Sequence, residues 1–487
     1  PVIHELVKAG VQLISTGGTL EHIRSLGADA TAVEDITGYP SILGGRVKTL
    51  HPKIFGGILG RRDVPGDITD MEHWEIGPVD LVLVDLYPFS ETVASGAPRA
   101  DVIEKIDIGG ISLIRAAAKN YHDVVVVADR SLYPELLDLL QSQQCHTTLD
   151  NRAYFAAQAF KITSHYDTAI FNYFNRDVKL TTFSHSLLET PLPLRYGENP
   201  HQGAVFFGYQ DSLPRKLHGK DISYNNLLDI EAAMRLIHDF SEPAVAILKH
   251  NNACGCATCP DPRQAWERAL KADPASAFGG IIVMNRPLSD VLAQEMDKLF
   301  FEVIIAPSYG PGALDVLTSR KNRIILAYGE KVRLPEKEFR SLLDGVVVQD
   351  RDTLVEDPAS FRQVTRRAPS PAQVADLVFA NKLVKHTKSN AIVLAANGML
   401  LASGMGQPSR VDALKHAIDK ARENNLSLEN AVMASDAFFP FPDCVELAHK
   451  AGITAVIQPG GSIKDQLSID YCNTNDMAMV FTGIRHF

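Results

Sequence analysis

The chain has 487 residues, 45% hydrophobic and 22% charged, the balance of a globular protein large enough to bury its core without disulfide staples. A formal charge of −10 speaks against a general nucleic-acid binder, whose footprint is basic, and no apolar run approaches the roughly 20 residues that cross a membrane. Six cysteines without a regular framework point to a reducing compartment, and the first turns read as an amphipathic helix rather than a secretion signal, so a cytoplasmic metabolic enzyme is expected.

In chain order, residues 1–10 place Ile3, Leu6 and Val7 on one helical face. Residues 11–15, 81–85 and 124–128 read as buried strands and 112–119 as a helix, an alternation that predicts a parallel α/β sheet. The chain opens on a helix that feeds a strand, as though an earlier strand of the same sheet preceded it. A Thr-, Ser- and Pro-rich stretch at 181–193 reads as a linker between a first domain at 1–180 and a second at 194–487. In the second domain, 245–248, 281–284, 303–306, 392–395 and 455–458 read as strands, in two similar-sized lobes split near 330–370. No short repeat stands out.

Several stretches carry chemistry. Ser15-Thr16-Gly17-Gly18-Thr19 lies between a strand and a helical pattern, where glycines, hydroxyls and helix N-terminal amides suit a phosphate. Alone, it fits an ordinary glycine turn as well. Arg46, Lys48 and Lys53 with His51 fall within nine residues broken by Val, Leu and Pro, a pattern closer to a structured loop than to a solvated helix face. Asp85-Leu86-Tyr87-Pro88-Phe89 ends a strand, the place where α/β folds set ligand groups, and Asp107 follows with Arg115 and Lys119. Residues 195–202, rich in Gly, Pro and polar groups, form a loop. Lys249-His250 at a strand end pairs a cation with a proton acceptor, the combination needed where a base works beside a developing oxyanion. Three phenylalanines, two prolines and two carboxylates combine in 435–443, a flat apolar wall fit for a pterin-like ring.

Cys256 and Cys259 form a CxxC that raises zinc or thiol redox as a competing reading. No second ligand pair lies at a suitable spacing, so no metal is expected.

Taken together, GRVKTLHP, RYGENPHQ, KHTKSNAI, SDAFFPF and QPGGS closely resemble the bifunctional phosphoribosylaminoimidazolecarboxamide formyltransferase / IMP cyclohydrolase family, over essentially all 487 residues. The resemblance implies an α/β protein with a methylglyoxal-synthase-like N-terminal domain for cyclisation. It implies a C-terminal formyltransferase of two cytidine-deaminase-like lobes without the deaminase zinc. The expected reactions are formyl transfer from 10-formyltetrahydrofolate to aminoimidazole carboxamide ribonucleotide (AICAR), giving FAICAR, then dehydrative closure to IMP. The folate is a co-substrate, no cofactor is tightly bound, and a homodimer acts on small molecules with neither nucleic acid nor membrane as partner. Carried over by motif, Thr16, Gly17, Gly18 and Thr19 are phosphate contacts of the cyclase. Arg46, Lys48 and Thr49 form its substrate and catalytic loop, and Tyr87, Asp107 and Lys119 complete it. In the transferase Lys249 and His250 are the catalytic pair and Asn390 assists them. Arg195, Tyr196, Gln407, Arg410, Phe438, Asp443, Arg485 and Phe487 contact substrate.

The family begins with a strand and a loop of the type SVSDKTG, and the sequence starts after it; the expectation is that this segment is merely omitted. Were it lacking, a transferase with an impaired cyclase would result, and a non-catalytic nucleotide- or folate-binding protein is the other alternative. Asp85 stands where the family has Asn before LYPF, and a carboxylate there would repel phosphate. Ala253 replaces a proline.

Overall fold

The computed structural model describes residues 1–188, 190–329 and 334–487. The expected linker at 181–193 includes residue 189, and the expected lobe split at 330–370 begins in residues 330–333, which lie outside the described residues. Two units emerge, residues 1–188 and 189–487.

In the first unit, helix α1 (Val2–Lys8) buries Val2 and Leu6. Strand β1 (Ile14–Ser15) leads into α2 (Gly17–Ser25) and pairs in parallel with β2 (Thr31–Ala32). After α3 (Pro52–Leu59), β3 (Leu81–Leu83) pairs in parallel with β4 (Val125–Val127), on either side of α4 (Gly109–Lys119) in the chain. The single parallel sheet expected from the three apolar runs is therefore two separate pairs. Among the described residues no strand joins them, and ladder pairing covers only two or three residues of each run. The 30-residue helix α5 (Leu149–Val178) starts from a capping box, Thr148 with Asn151, which satisfies amides that the first turn leaves orphaned. It buries Ala156 and Ala159 in one cluster with Ala116, Ala117 and Ala118 of α4, small residues that let the two helices approach closely.

The second unit is built on one 12-stranded sheet. Its first half comprises β5 (Arg215–His218), α6 (Tyr224–His238), the hairpin β6 (Ala244–Lys249) and β7 (Asn252–Thr258), α7 (Pro262–Ala272), β8 (Ile281–Met284), β9 (Val303–Ala306) and β10 (Ile324–Ala327). The second half comprises β11 (Arg362–Gln363), α8 (Pro371–Lys385), the hairpin β12 (Ile392–Ala396) and β13 (Met399–Gly404), α9 (Arg410–Glu423), β14 (Val432–Ser435), α10 (Asp443–Lys450), β15 (Ala455–Gln458) and β16 (Ala478–Phe481). The strand order is β11-β16-β15-β14-β12-β13-β7-β6-β8-β9-β10-β5. The halves repeat each other. In each, the third strand runs antiparallel to the first strand of the hairpin, two parallel strands follow, and an antiparallel strand closes the edge. They meet antiparallel at β7 and β13, so a pseudo-twofold axis passes through the sheet. Every residue of β8, β9, β14, β15 and β16 is buried, which is why these strands read as unbroken apolar runs.

Helices α6 and α8 share the core on one face, while α7 and α9 share the core on the other. Both α6 and α8 start from capping boxes, Ser223 with Asn226 and Ser370 with Gln373. At their far ends Asp239 and His386, 147 residues apart in the chain, meet at 2.6 Å, and Lys385 joins Asp239 at 3.0 Å. On the opposite face, a Cβ on Gly404 would lie 1.8 Å from the Ala413 carbonyl oxygen, so only glycine lets α9 settle against β13.

Candidate functional sites

In the first unit α2 begins directly after β1, with Thr16 extended at the N-cap and its hydroxyl oxygen buried without a hydrogen-bond partner. Gly17 sits at φ +54°, and Gly18 and Thr19 continue the exposed first turn. The Lys48 ammonium lies over this turn: a Cβ on Gly17 would be 3.6 Å from Nζ, and one on Gly45 would be 2.9 Å from the Lys48 Cε. The glycines thus leave room for a cation above a helix N-terminus, an arrangement that attracts a phosphate through amide N–H groups and charge together.

One residue further, the Thr49 hydroxyl lies 3.2 Å from the position a Cβ would take on Gly109, at the start of α4. Asp107 folds back there, accepting from the Gly110 amide at 2.6 Å. The Tyr166 hydroxyl accepts from the Asp107 amide at 2.9 Å and donates to the Lys105 carbonyl at 2.6 Å. Burial pushes the Asp107 carboxyl above its ordinary range, while the amides of Gly110, Tyr87 and Ile111 pull it back. The exposed Tyr87 ring has the Lys105 ammonium 5.8 Å from its centroid. Arg46 pairs with Glu104 just ahead of Asp107. Lys119 stands apart: it is exposed at the last residue of α4, roughly 15 Å along the helix from Gly109. Asp85 does not stand as an uncompensated charge, because its Oδ2 accepts from Arg130 at 2.8 Å and from the Tyr133 hydroxyl at 3.0 Å.

In the second unit the β6–β7 connection is a two-residue turn, with His250 at φ 52° and Asn251 at φ 66°, the left-handed pair of a type I′ hairpin. Lys249, the last residue of β6, donates to the Phe278 carbonyl at 2.9 Å. Asp229 of α6 accepts from the Asn251 amide at 2.6 Å and fastens the turn. Burial raises the Asp229 pKa, opposed by that amide and by nearby His250. Asn252 accepts from the Lys388 amide at 3.2 Å, which ties the Lys249–His250 hairpin to the segment carrying Asn390.

Asn390 donates to the carbonyls of Gln407 and Pro408, both at 3.0 Å. The buried Asp436 is the hub behind them: it accepts from the Ala391 amide at 3.1 Å, from Arg410 Nε at 3.2 Å and from the Ser389 hydroxyl. Its carbonyl accepts the His486 amide at 3.1 Å. The Phe487 ring lies 5.9 Å from the Arg410 guanidinium and 4.3 Å from that of Arg485. Phe438, partly exposed, follows Asp436, and Asp443 opens α10 with its carboxylate on the Cys444 amide at 2.9 Å. Arg195 stacks 4.7 Å from the Tyr196 ring. Its loop is fixed to the first turn of α6 by Tyr224 N to Tyr196 O at 3.4 Å and Asn225 to Glu198 O at 3.0 Å. Strand directions put the ends of β6, β13 and β14 and the start of β12 at one end of the sheet, so Lys249, His250, Asn390, Gln407 and Arg410 share that end.

At the opposite end the repeat places Ala396, Asn397 and Gly398 where Lys249, His250 and Asn251 stand. Asp376 holds that turn as Asp229 holds its counterpart, accepting from Asn397 at 2.8 Å and Gly398 at 2.6 Å. A cavity of about 340 Å³ opens beside it between Phe240, Phe379 and Lys382. Of these two turns, that of β6 and β7 pairs a base with a cation and that of β12 and β13 does not. Sequence reading did not single out Asp229 and Asn252, which lie 22 and 136 residues from their partners.

The CxxC thiols face different cores: Cys256 is fully buried on the α6/α8 side, and Cys259 packs against the α7/α9 side and donates to Gln264 at 3.4 Å. Two sulfurs on opposite faces of a sheet cannot chelate one ion. Burial also pushes the Cys256 thiol up, away from the thiolate that metal or redox chemistry needs. Among the described residues no group of three or more His, Cys, Asp or Glu is placed to hold a metal ion.

A helix N-terminus under a lysine in one unit, and a Lys–His hairpin tied to the segment of Asn390 in the other, suit a two-domain α/β enzyme of small molecules. The model of the MGS-like domain matches residues 1–112, and that of the AICARFT/IMPCHase bienzyme matches residues 117–420. The chain belongs to the AICARFT/IMPCHase bienzyme family. The bifunctional purine biosynthesis protein PurH of Bacteroides thetaiotaomicron is 58% identical over 486 residues, covering 100% of this chain and 95% of that protein. The protein of the same name from Limosilactobacillus reuteri is 45% identical, with 100% and 97% covered, and that from Persephonella marina 44%, with 99% and 96% covered.

Proposed function

We propose that the two sites described above carry the two consecutive steps of the family, each on its own unit. The chain is a bifunctional enzyme of purine biosynthesis, an AICAR formyltransferase and IMP cyclohydrolase. In transfer, the AICAR amine attacks the formyl carbon of 10-formyltetrahydrofolate; a C–N bond forms to the nucleotide and the bond to folate N10 breaks. That amine is a poor nucleophile, because its lone pair is delocalised toward the carboxamide. His250 takes its proton as attack proceeds, and the departing folate N10 receives one. Lys249 stabilises the oxyanion of the tetrahedral intermediate, and Asn390 assists once one of its N–H groups turns to the oxyanion from the Gln407 or Pro408 carbonyl. Arg195, Tyr196, Gln407, Arg410, Arg485 and Phe487 hold the ribonucleotide, and Phe438 and Asp443 line the folate side.

In closure, the carboxamide nitrogen of FAICAR attacks the formyl carbon and water leaves. The start of α2, with Thr16, Gly17, Gly18 and Thr19, receives the phosphate together with Arg46 and Thr49. Lys48 and Tyr87 handle the proton and the developing charge, with Asp107 beside them. Closure draws an otherwise unfavourable transfer forward. Neither step requires a tightly bound cofactor or a metal, and the reading includes a cytoplasmic homodimer.

The observation that carries this reading is the Asn252–Lys388 bond, which sets the Lys249–His250 hairpin beside Asn390 across two lobes. The test is a two-channel assay of the purified protein. One channel follows tetrahydrofolate release from AICAR and 10-formyltetrahydrofolate, and the other follows IMP from supplied FAICAR. Activity in both is expected; silence in either removes that half of the assignment.

A further inference from the structure

His486 lies between Arg485 and Phe487 but does not share their exposure: its side chain is 3% accessible. The segment that follows residue 350 crosses the α6/α8 face as a strap. Arg351 reaches Glu231 of α6 at 3.5 Å. Further along, Asp352 Oδ2 meets His486 Nδ1 at 2.5 Å and Glu356 Oε1 meets His486 Nε2 at 3.0 Å. Asn381 of α8 donates to the other Glu356 oxygen at 2.9 Å, which fixes that carboxylate. A neutral imidazole carries one N–H and can satisfy only one of two flanking carboxylates. Both contacts are made only by the imidazolium, and the two carboxylates hold the His486 pKa above its ordinary value of 6.5 against the effect of burial.

The neighbouring groups connect this clamp to the transferase end of the sheet. The His486 amide donates to the Asp436 carbonyl at 3.1 Å, and the Asp436 carboxylate is engaged by Arg410, Ser389 and the Ala391 amide. Arg410 and Arg485 face the Phe487 ring. Fixing His486 therefore fixes where the side chains before and after it point.

We propose that His486 is a positioning residue of the transferase site: its doubly hydrogen-bonded imidazolium fastens the C-terminal segment and sets Arg485 and Phe487 against the nucleotide. The inference rests on the transferase reading above and adds a pH dependence to it. Because the folded pKa is raised, the anchoring is complete below about 6.5 and is lost as pH rises through the folded value.

The test measures KM for AICAR and kcat for transfer and for closure from mildly acidic to alkaline pH. Wild type, His486→Gln and Asp352→Asn are compared, with hydrogen exchange of peptide 478–487 corrected for intrinsic rates. In wild type KM should climb and the peptide loosen across one titration above 6.5. In His486→Gln KM should rise roughly tenfold at low pH and lose its pH dependence, with closure unchanged. In Asp352→Asn, with one carboxylate neutralised, the titration should move to lower pH. A wild-type KM and pH profile in His486→Gln overturns the proposal, as does an unshifted titration in Asp352→Asn. Should His486→Gln lose closure as well, Asp352→Asn decides. An exchange titration that vanishes in His486→Gln, with no formyl transfer in any variant, supports the clamp and removes the transferase reading instead.

Discussion

At the scale of single residues, the division of labour between Lys249 and His250 follows from where the hairpin puts them. Lys249 still belongs to the strand and is held by the Phe278 carbonyl, whereas His250 stands exposed in the turn. His250→Ala is expected to lower kcat for transfer by about 10²–10⁴, the range of a lost general base, and to leave closure of supplied FAICAR within twofold. A transfer rate near wild type would remove His250 from the chemistry. Asp107 gives a second prediction, with a sign fixed by its burial. Its carboxyl is shifted upward, so its ionised form opposes folding at neutral pH, and its favourable contribution belongs to acid pH, below its folded pKa. Asp107→Asn keeps an oxygen for the Gly110 amide without the charge. It should raise the neutral-pH thermal midpoint of the first unit, by roughly 2–4 °C for each kcal/mol gained, while slowing closure. The gain should vanish in acid; a lower midpoint at pH 7 would contradict the assignment of burial as the cause. These residues were legible in the sequence because each motif packs its chemistry into a few consecutive positions. Asp229 and Asn252 were not, because what makes them matter is a bond to a distant part of the chain.

At the scale of elements, the paired turns of the sheet offer an internal control. Asp229 and Asp376 occupy the same turn of equivalent helices and grip equivalent hairpins, but only the first hairpin carries Lys249 and His250. Asp376→Asn should cost about 1–2 kcal/mol in denaturant unfolding, from weakened charge-assisted bonds to two amides, with transfer unchanged at permissive temperature. Asp229→Asn should cost less stability, since burial disfavours its ionised form, yet lower kcat for transfer several-fold through a looser turn. Equal effects of both on transfer would mean that the turn is not what Asp229 positions. The elements themselves were readable where burial on both faces made unbroken apolar runs, as in β8, β9 and β15. The two-residue β1 and β2 were not readable as a pair, because no period is measurable over two positions. Two lobes of one kind were expected from the resemblance, but no repeat stood out in the residues, because the equivalents have diverged in kind: Ala396-Asn397-Gly398 answers to Lys249-His250-Asn251 through backbone conformation and hydrogen bonding, not through side-chain type.

At the scale of the whole molecule, the placement of the two proposed sites on separate units makes their independence testable. Lys48 lies over α2 in the unit of residues 1–188, and His250 lies in the unit of residues 189–487. Lys48→Met removes the cation above the phosphate turn without touching the hairpin, and His250→Ala does the reverse. Each single variant should therefore lose one reaction and keep the other. FAICAR is a free product of the first step in this reading. An equimolar mixture of the two variants supplied with AICAR and 10-formyltetrahydrofolate should then recover IMP formation after a lag in which FAICAR accumulates in solution. The lag should shorten as the His250→Ala variant, which retains closure, is added in excess. Recovery without a lag would mean that the intermediate passes between sites without release. No recovery, with each variant still active in its own half-reaction, would show that closure depends on the state of the transferase unit and that the two sites are coupled.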